Sequence, residues 1–289
     1  MATFKLSVFT DEITTDFGHA LEVAAKEFGL GYVELRVMWG KNIMSLDDKE
    51  IAEARRLLER YKLRVSSIAG PLFKVGWPGA PVSKFSQRDK FGADFTFEQQ
   101  PEVLERGLEL THVFNTDHLR CFDFWRLDDP KPHRAAMDDE LRKAAEKAGK
   151  RGVTLVMENE YACNTATAAE AARTLDAVRV SSFKLNWDPG NSAFRNETPY
   201  PDGYNLLPKA RIGHVHCKDV ERKPDGTFAW MAMGRGIIDY VGQFRALKAS
   251  GYRGPVVLET HWRGAGTPEE STRQSMAGLK ELLKKAQAL

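Results

Sequence analysis

Cysteine is scarce in this sequence, and the scarcity excludes two kinds of fold. The three cysteines, Cys121, Cys163 and Cys217, stand far apart and are odd in number, so they indicate neither a disulfide framework nor a structural zinc module. The first residues lack the apolar core and the small-residue cleavage site of a signal peptide. No run approaches the roughly 18 apolar residues of a membrane span. We therefore expect a reduced, cytoplasmic protein with no membrane partner.

An excess of charge of one sign is also missing. The 42 basic and 40 acidic residues give a net charge of +2 and are interspersed without long runs. A protein that follows nucleic acid phosphates normally carries a basic stripe, so we expect no nucleic acid partner. With 289 residues, 42% of them hydrophobic, the chain has the composition of a globular protein with one large core.

Short β-type runs alternate with amphipathic segments along the whole sequence. Strand candidates include 32–36 and 64–69, and a helix candidate at 45–62 begins with Ser45 as its expected N-cap. About eight such units in regular order predict a parallel sheet covered by helices, for which the (β/α)₈ TIM barrel is the expected α/β form. A doubly wound open sheet is the alternative. No GxGxxG follows the first strand, which weakens a Rossmann interpretation.

One long segment interrupts this alternation. Residues 70–97 are rich in glycine, proline and aromatic residues, and a connection of this length in a compact domain is usually functional. No shift in composition marks a second domain. We therefore expect one TIM-barrel domain over residues 1–289, with 70–97 as a loop insertion that forms a lid or an oligomer contact.

Four apolar runs in the second half of the sequence each end in a possible metal ligand. The runs VTLVMEN, FKLNWD, IGHVHCKD and PVVLET place Glu158, Asp188, His216 and Glu259 near the C-terminal ends of strands five to eight. In a barrel these strand ends share one rim, where three carboxylates and an imidazole would repel one another and lose hydration unless a cation joined them. Any one of them alone could be a polar residue beside a loop, but four on successive strands favour a site. Their chemistry predicts one divalent ion, Mn²⁺ as first choice, with Mg²⁺, Co²⁺ or Zn²⁺ as alternatives.

The histidine ligand has two candidates, His214 and His216. Both lie on the same face of the strand, because side chains alternate with a period of two. His216 is nearer to the C-terminal end. We therefore assign the metal to His216, and we expect His214 to support it or to contact the substrate.

These motifs together resemble the xylose isomerase-like TIM barrels of the sugar phosphate isomerase/epimerase group. That group includes ketose 3-epimerases, inosose dehydratases and, more distantly, enzymes of the endonuclease IV type. The similarity extends over nearly the whole chain and is carried by FGLGYVELR, WGKN, VMENE, NWDPGN, HVHCKDVER, GRGIIDY and GYRGPVVLETHW. It implies a divalent metal held by Glu158, Asp188, His216 and Glu259. It also implies that Glu158 and Glu259 are the catalytic pair.

Two further positions are expected to contact the substrate. Asn191 follows Asp188 by three positions, where the epimerases commonly carry a histidine. In the epimerases an arginine follows the ligand histidine by six positions, which matches Arg222 here. Its guanidinium could hold a hydroxyl, carbonyl or carboxylate group, or it could be an exposed charge in a polar loop.

Three other basic residues have two interpretations each. Lys218 could stabilise an enolate, or it could form a salt bridge with Asp219 behind the ligands. Arg36 shares a strand face with Glu34, so it could pair with that residue or reach the rim and the substrate. Arg120 could likewise contact the substrate or belong to a structural ion pair.

The resemblance implies a metal-dependent sugar isomerase or epimerase that forms an enediolate, because a divalent ion beside a carbonyl stabilises that charge. The alternative is a lyase or dehydratase of a 3-keto-glycoside or an inosose, which would begin with the same proton removal.

Two other hypotheses are weaker. An enzyme that cleaves abasic DNA uses three zinc ions and more histidine ligands than this sequence offers. Only two of its seven histidines lie at a recognised strand end. A non-catalytic sugar-binding subunit would not need four intact ligands. Members of the group are often dimers or tetramers, so we expect a homo-oligomer that acts on a small sugar. The lack of a glycine-rich phosphate loop favours an unphosphorylated one.

Overall fold

Eight parallel strands form a nearly closed barrel, as predicted, in a computed structural model that describes residues 3–84, 86, 91 and 93–289. The strands are β1 Lys5–Val8, β2 Tyr32–Leu35, β3 Arg64–Leu72, β4 His118–Cys121, β5 Thr154–Glu158, β6 Phe183–Trp187, β7 Ile212–Cys217 and β8 Pro255–Leu258. Their hydrogen-bonded order is β1-β8-β7-β6-β5-β4-β3-β2. A single bridge between Phe9 and Glu34 joins the two edge strands, and it fixes Glu34 beside the C-terminal end of β1.

Helices alternate with the strands and cover the outside of the barrel. Their bounds are Thr10–Ile13, Phe17–Glu22 (continued by a π-helical turn at Val23–Glu27), Asp48–Arg60, Gln100–Val113, Arg134–Lys150, Ala168–Ala177, Pro189–Phe194, Tyr204–Leu206, Tyr240–Ala249 and Pro268–Lys285. Two antiparallel hairpins follow β2 and β7, namely Val37–Met38 with Lys41–Asn42 and Asp219–Arg222 with Phe228–Met231. Within the described residues, no helix combines the length and the apolar character that a membrane crossing requires.

The barrel strands carry nearly continuous apolar runs because both of their faces are buried. Val33, Leu155, Leu185, Val215 and Leu258 are all fully buried, and they belong to one apolar core that extends under the helices. Side chains of this core fix the strands relative to one another. The polar residues at the strand ends are therefore held on a rigid frame.

The long loop begins later than the sequence indicates. The strand predicted at 64–69 continues to Leu72, which pairs with Cys121 of β4, so 70–72 belong to the barrel. The predicted start of the loop at residue 70 is therefore wrong. The apolar character of Pro71 and Leu72 explains the extension, since both positions lie against the core or its edge.

The predicted start of the helix candidate at 45–62 is also wrong. Asp47, and not Ser45, is the N-cap: its carboxylate accepts hydrogen bonds from the amides of Lys49 and Glu50, and the Glu50 carboxylate accepts one from the Asp47 amide. Ser45 ends a short 3₁₀ turn instead. The reciprocal pair satisfies three amides at the helix start, which Ser45 cannot do from its position.

Replacement of Asp47 with alanine should lower the Tm by about 2–4 °C, because amides at the start of the helix lose their acceptor. Thermal unfolding followed by circular dichroism measures the change. Ser45→Ala, at the position that the sequence spacing favoured, is the matched control and should leave the Tm unchanged. The opposite result would assign the cap to Ser45.

Candidate metal centre

The four predicted ligands meet at the C-terminal rim of the barrel. Glu158 ends β5, Asp188 follows β6, His216 lies on β7 and Glu259 follows β8. One ligand atom from each lies within 4.8 Å of the others, and none of the four residues is more than 2% exposed. Neighbouring parallel strands bring equivalent positions together, so the regular placement of these residues in the sequence becomes a cluster in space.

The ring of His216 lies in the middle of this cluster. Its Nδ1 is 3.5 Å from Glu158 Oε1, 3.4 Å from Glu259 Oε2 and 4.0 Å from Asp188 Oδ2. Its Nε2 is 3.3 Å from Glu34 Oε1. Burial alone would lower the pKa of the His216 imidazole, but the charges of Glu34 and Glu158 raise it well above its usual range, so the ring is protonated on both nitrogens. Loss of the Nδ1 proton, with the Nε2 proton still donated to Glu34, would leave the lone pair of Nδ1 facing the three carboxylates, which is the tautomer that a metal ligand requires.

Glu34 and His214 form a fully buried support behind His216. The Nε2 of His214 lies 2.7 Å from Glu34 Oε2, and the Nδ1 of His214 lies 3.4 Å from the Nδ1 of His118. Burial, together with the neighbouring His214, lowers the pKa of His118 to about 4. His214 therefore lies beneath the ligands, a position that fits the supporting role better than contact with a substrate.

Arg36 and Arg120 each hold one of the two glutamates. Arg36 Nη1 donates to Glu259 Oε1 at 2.6 Å, and Arg120 Nη1 donates to Glu158 Oε2 at 3.0 Å. Arg36 pairs with this rim residue and not with Glu34, which lies two residues before it on β2. Each glutamate thus has one oxygen on an arginine and the other near His216 Nδ1, so both arginines act on the ligands themselves.

Lys218 lies inside the ligand cluster. Its Nζ is 2.6 Å from Glu259 Oε2, 2.9 Å from Asp188 Oδ2 and 3.7 Å from Glu158 Oε1. The contact with Asp188 is an ion pair without the alignment of a hydrogen bond, so Asp188 Oδ2 accepts no hydrogen bond from the described part of the chain. That oxygen is buried and keeps its lone pairs available for a cation.

The salt bridge between Lys218 and Asp219, one of two sequence interpretations, is not formed. The Asp219 carboxylate accepts hydrogen bonds from the amides of Gly234 and Gly236 at 3.0 and 2.9 Å. A Cβ at Gly236 would lie 2.2 Å from Asp219 Oδ1, so the close approach requires glycine. The aspartate anchors the segment GRGIIDY to the hairpin and is not available to the lysine.

The two remaining substrate candidates lie in different places. Asn191 is buried at the centre, where its Nδ2 donates to Glu158 Oε1 at 3.1 Å and its Oδ1 has no partner within the described residues. Arg222 is exposed at the end of the hairpin strand Asp219–Arg222, with its guanidinium 6.0 Å from the Phe228 ring. The structure does not bring Arg222 to the ligands, so its contact with a substrate stays a prediction.

The two glutamates are held in their ionised form, whereas Asp188 is less well compensated. Burial alone would raise the pKa of both glutamates, but the charges of His216 and Arg120 lower that of Glu158, and those of Lys218 and His261 lower that of Glu259. Burial raises the pKa of Asp188 to about 6 in spite of the lysine beside it. Of the three ligand carboxylates, Asp188 is thus the one whose negative charge is least compensated.

Sequence reasoning missed Glu12 and His261. His261 Nδ1 lies 2.9 Å from Glu12 Oε1, and His261 Nε2 lies 3.7 Å from Glu259 Oε1. The backbone of His261 has a φ of 48°, an uncommon value for a residue other than glycine. Both residues follow a strand end closely, in TDE after β1 and ETH after β8, which is the same signal that identified the four ligands.

Aromatic side chains cover the centre on the solvent side. The Trp230 ring lies 5.4 Å from Lys218 Nζ, stacks on Phe194 with centroids 4.1 Å apart, and meets the His261 ring edge-on at 5.3 Å. Such rings exclude water and offer a flat apolar surface to a sugar.

The residues present fit a divalent cation. Three carboxylates and one imidazole are suitable donors for a hard or borderline ion, and Asp188 Oδ2 has the free lone pairs such an ion needs. Two neighbouring groups each bring three ligand atoms together. One consists of Glu34, His214 and His216, and the other of Glu12, Glu259 and His261. Each of these groups offers three ligand atoms instead of four and contains fewer carboxylates than the main cluster, so both are poorer candidates for a hard cation.

Comparison with known proteins identifies the family of the chain. The chain matches the family model of xylose isomerase-like TIM barrels over residues 23–282. It is 25% identical to an inosose dehydratase from Geobacillus thermodenitrificans, in a match that covers 72% of this chain and 73% of that enzyme. It is 27% identical to the L-ribulose-5-phosphate 3-epimerase UlaE from Escherichia coli, over 58% of this chain and 57% of that enzyme.

Solved structures share the fold. The IOLI protein with a bound zinc atom superposes with a TM-score of 0.77 at 17% identity, over 98% of this chain and 99% of that one. A D-psicose 3-epimerase crystallised with D-fructose gives 0.72 at 16% identity, over 98% and 99%. A xylose isomerase-like protein from Mycobacterium smegmatis in complex with magnesium gives 0.68 at 19% identity, over 93% and 89%. The present chain belongs to the family of xylose isomerase-like TIM barrels.

Proposed function

We propose that this protein is a divalent-metal-dependent sugar isomerase or epimerase that removes a proton from the carbon beside a keto group. The observation that carries the proposal is the convergence of Glu158 and Glu259. They come from β5 and β8, each is held by its own arginine, and each directs one oxygen towards His216 Nδ1. Two ionised carboxylates that approach from different strands can serve one carbon from two sides.

Glu158, Asp188, His216 and Glu259 would hold the ion, and a divalent cation bound there supplies Lewis acidity that makes a C–H beside a carbonyl more acidic. Asp188 Oδ2, which accepts no hydrogen bond from the described residues, supports this assignment. So do the zinc and the magnesium in two proteins of the same fold. We expect one ion per chain, with Mn²⁺ as first choice and Mg²⁺, Co²⁺ or Zn²⁺ as alternatives.

The residues of the chain supply the proton transfers. In an epimerisation, one glutamate takes the proton from one face of the carbon, and the other returns a proton to the opposite face. Return of the proton to the neighbouring carbon gives isomerisation instead. Asn191 Oδ1 is open to a hydroxyl donor of the sugar, and Trp230 with Phe194 keeps water away from the reacting carbon.

A carbon–oxygen lyase is the second candidate, and His261 favours it. Elimination needs a carboxylate to take the proton and a hydrogen-bond donor for the oxygen that leaves the next carbon. His261 is oriented by Glu12 and lies beside Glu259, so it is placed to be that donor. The relative matched over 73% of its length is an inosose dehydratase, which supports the same reaction class.

Glu259→Gln should reduce kcat by about 10²–10⁴-fold, because an amide cannot accept the proton. Proton and deuterium NMR in D₂O, with a panel of ketoses, inososes and 3-keto-glycosides, measures both turnover and solvent exchange at the sugar carbon. Glu170→Gln is the matched control, since Glu170 pairs with Arg126 on the outside of the barrel and glutamine preserves its capping box.

The products of the same panel separate the two reaction classes. Inversion or migration at a deuterated carbon identifies an epimerase or isomerase, and loss of water or of an alcohol identifies a lyase. Full activity of Glu259→Gln would remove that residue from the mechanism. No exchange with any substrate would contradict both classes.

Glu34→Gln should weaken metal binding by about 10–100-fold, because a neutral amide is a poorer acceptor for the Nε2 proton of His216. Isothermal titration of chelator-treated protein with Mn²⁺ or Co²⁺ gives the Kd, and circular dichroism checks the fold. The wild type should bind close to one ion per chain. Three bound zinc ions would restore the nuclease hypothesis, and an unchanged Kd would leave Glu34 with a packing role alone.

A further inference from the structure

A buried ammonium group lies among the carboxylates that would bind the metal. Lys218 is 1% exposed, and its Nζ lies 2.6 Å from Glu259 Oε2 and 2.9 Å from Asp188 Oδ2. These are the oxygens nearest to His216 Nδ1 on those two residues. A fixed positive charge at this place opposes the arrival of a second cation, because like charges repel strongly at short distance in a buried site.

The surroundings of Lys218 keep its side chain in this position. Gly190 leaves room for the stem, since a Cβ there would lie 2.6 Å from Lys218 Cγ. The Tyr240 hydroxyl accepts a hydrogen bond from the Lys218 amide at 3.1 Å and donates one to its carbonyl at 2.8 Å. Trp230 covers the ammonium from the solvent side. The glycine of NWDPGN therefore has a physical role, which is to admit the lysine.

Charge compensation explains why a lysine is needed there. Glu259 and Glu158 each have an arginine partner. Within the described ranges, Asp188 forms ion pairs with Lys218 at 2.9 Å and with His216 at 4.0 Å. A buried carboxylate without such a partner is strongly destabilising. The lysine is therefore the main positive charge that serves Asp188.

We propose that Lys218 is a resident counter-ion of the metal centre, which balances Asp188 and Glu259 in the metal-free protein and competes with the metal for them. This inference rests on the metal site of the proposed function, and not on the reaction assigned to it. It has two consequences. The metal-free protein stays folded because its carboxylates are already compensated, and the metal binds less tightly than the four ligands alone would allow, so that it can exchange.

Lys218→Gln tests the inference, because glutamine can donate a hydrogen bond but carries no charge. Isothermal titration of chelator-treated protein with Co²⁺ should give a Kd at least tenfold lower in the variant than in the wild type. In the presence of chelator, the urea midpoint of the variant should be lower than that of the wild type, and added Co²⁺ should close the gap. Lys223→Gln is the control, since Lys223 is exposed between the two strands of the hairpin that follows β7, and it should change neither quantity.

Weaker or equal Co²⁺ binding by Lys218→Gln would overturn the inference, and so would a metal-free variant as stable as the wild type. A variant that folds only with Co²⁺ present is the strongest form of the expected result. If Lys218→Gln folds neither with nor without Co²⁺, urea unfolding of the wild type in chelator tests the inference instead. The inference requires a folded, cooperatively unfolding wild type under that condition. A wild type that needs metal to fold would contradict the counter-ion role. If the wild type does not bind Co²⁺, the proposed metal centre itself is wrong. If the wild type binds Co²⁺ and Lys218→Gln has the same Kd, only the counter-ion role of Lys218 is wrong.

Discussion

Mutual repulsion among three buried carboxylates is the constraint on which the rest of the site depends. Glu158, Asp188 and Glu259 contribute ligand atoms within 4.8 Å of one another and are shielded from water, so positive charge has to reach them from elsewhere in the barrel. That charge comes from strands other than their own, with Arg36 after β2, Arg120 on β4 and Lys218 after β7. A closed barrel suits this task, because all its strands end at one rim.

The fold and the four-ligand cluster could be predicted because both are periodic in the sequence. Parallel strands buried on both faces give continuous apolar runs, and a carboxylate where such a run ends is conspicuous. Glu158 and Asp188 follow this pattern, and the structure brings them together with His216 and Glu259. The choice of His216 over His214 also follows from position along β7, since only the ring nearer the C-terminal end faces the carboxylates.

The rest depends on the path that the chain takes after a strand ends, which periodicity does not encode. Arg222 lies six positions after His216, but a hairpin begins at Asp219 and carries the arginine to the surface. The Asp219 carboxylate accepts hydrogen bonds from the amides of Gly234 and Gly236, which come later in the chain, so it is not available to Lys218. The paths of the loops determine which charged side chains come into contact. These paths depend on individual contacts, such as the hydrogen bonds of Asp219.

The two glutamates have different partners, and this difference bears on the reaction. Glu158 Oε1 accepts a hydrogen bond from neutral Asn191, whereas Glu259 Oε2 contacts the ammonium of Lys218. A carboxylate beside a cation is the weaker base. In the proposed epimerisation both carboxylates exchange a proton, so the contact between Lys218 and Glu259 has to weaken when the substrate binds. The proposed elimination needs a single carboxylate base together with the donor His261, so it places no such demand on that contact. The two proposed reactions therefore differ in what they require of Glu259, and not in the residues that would hold the metal.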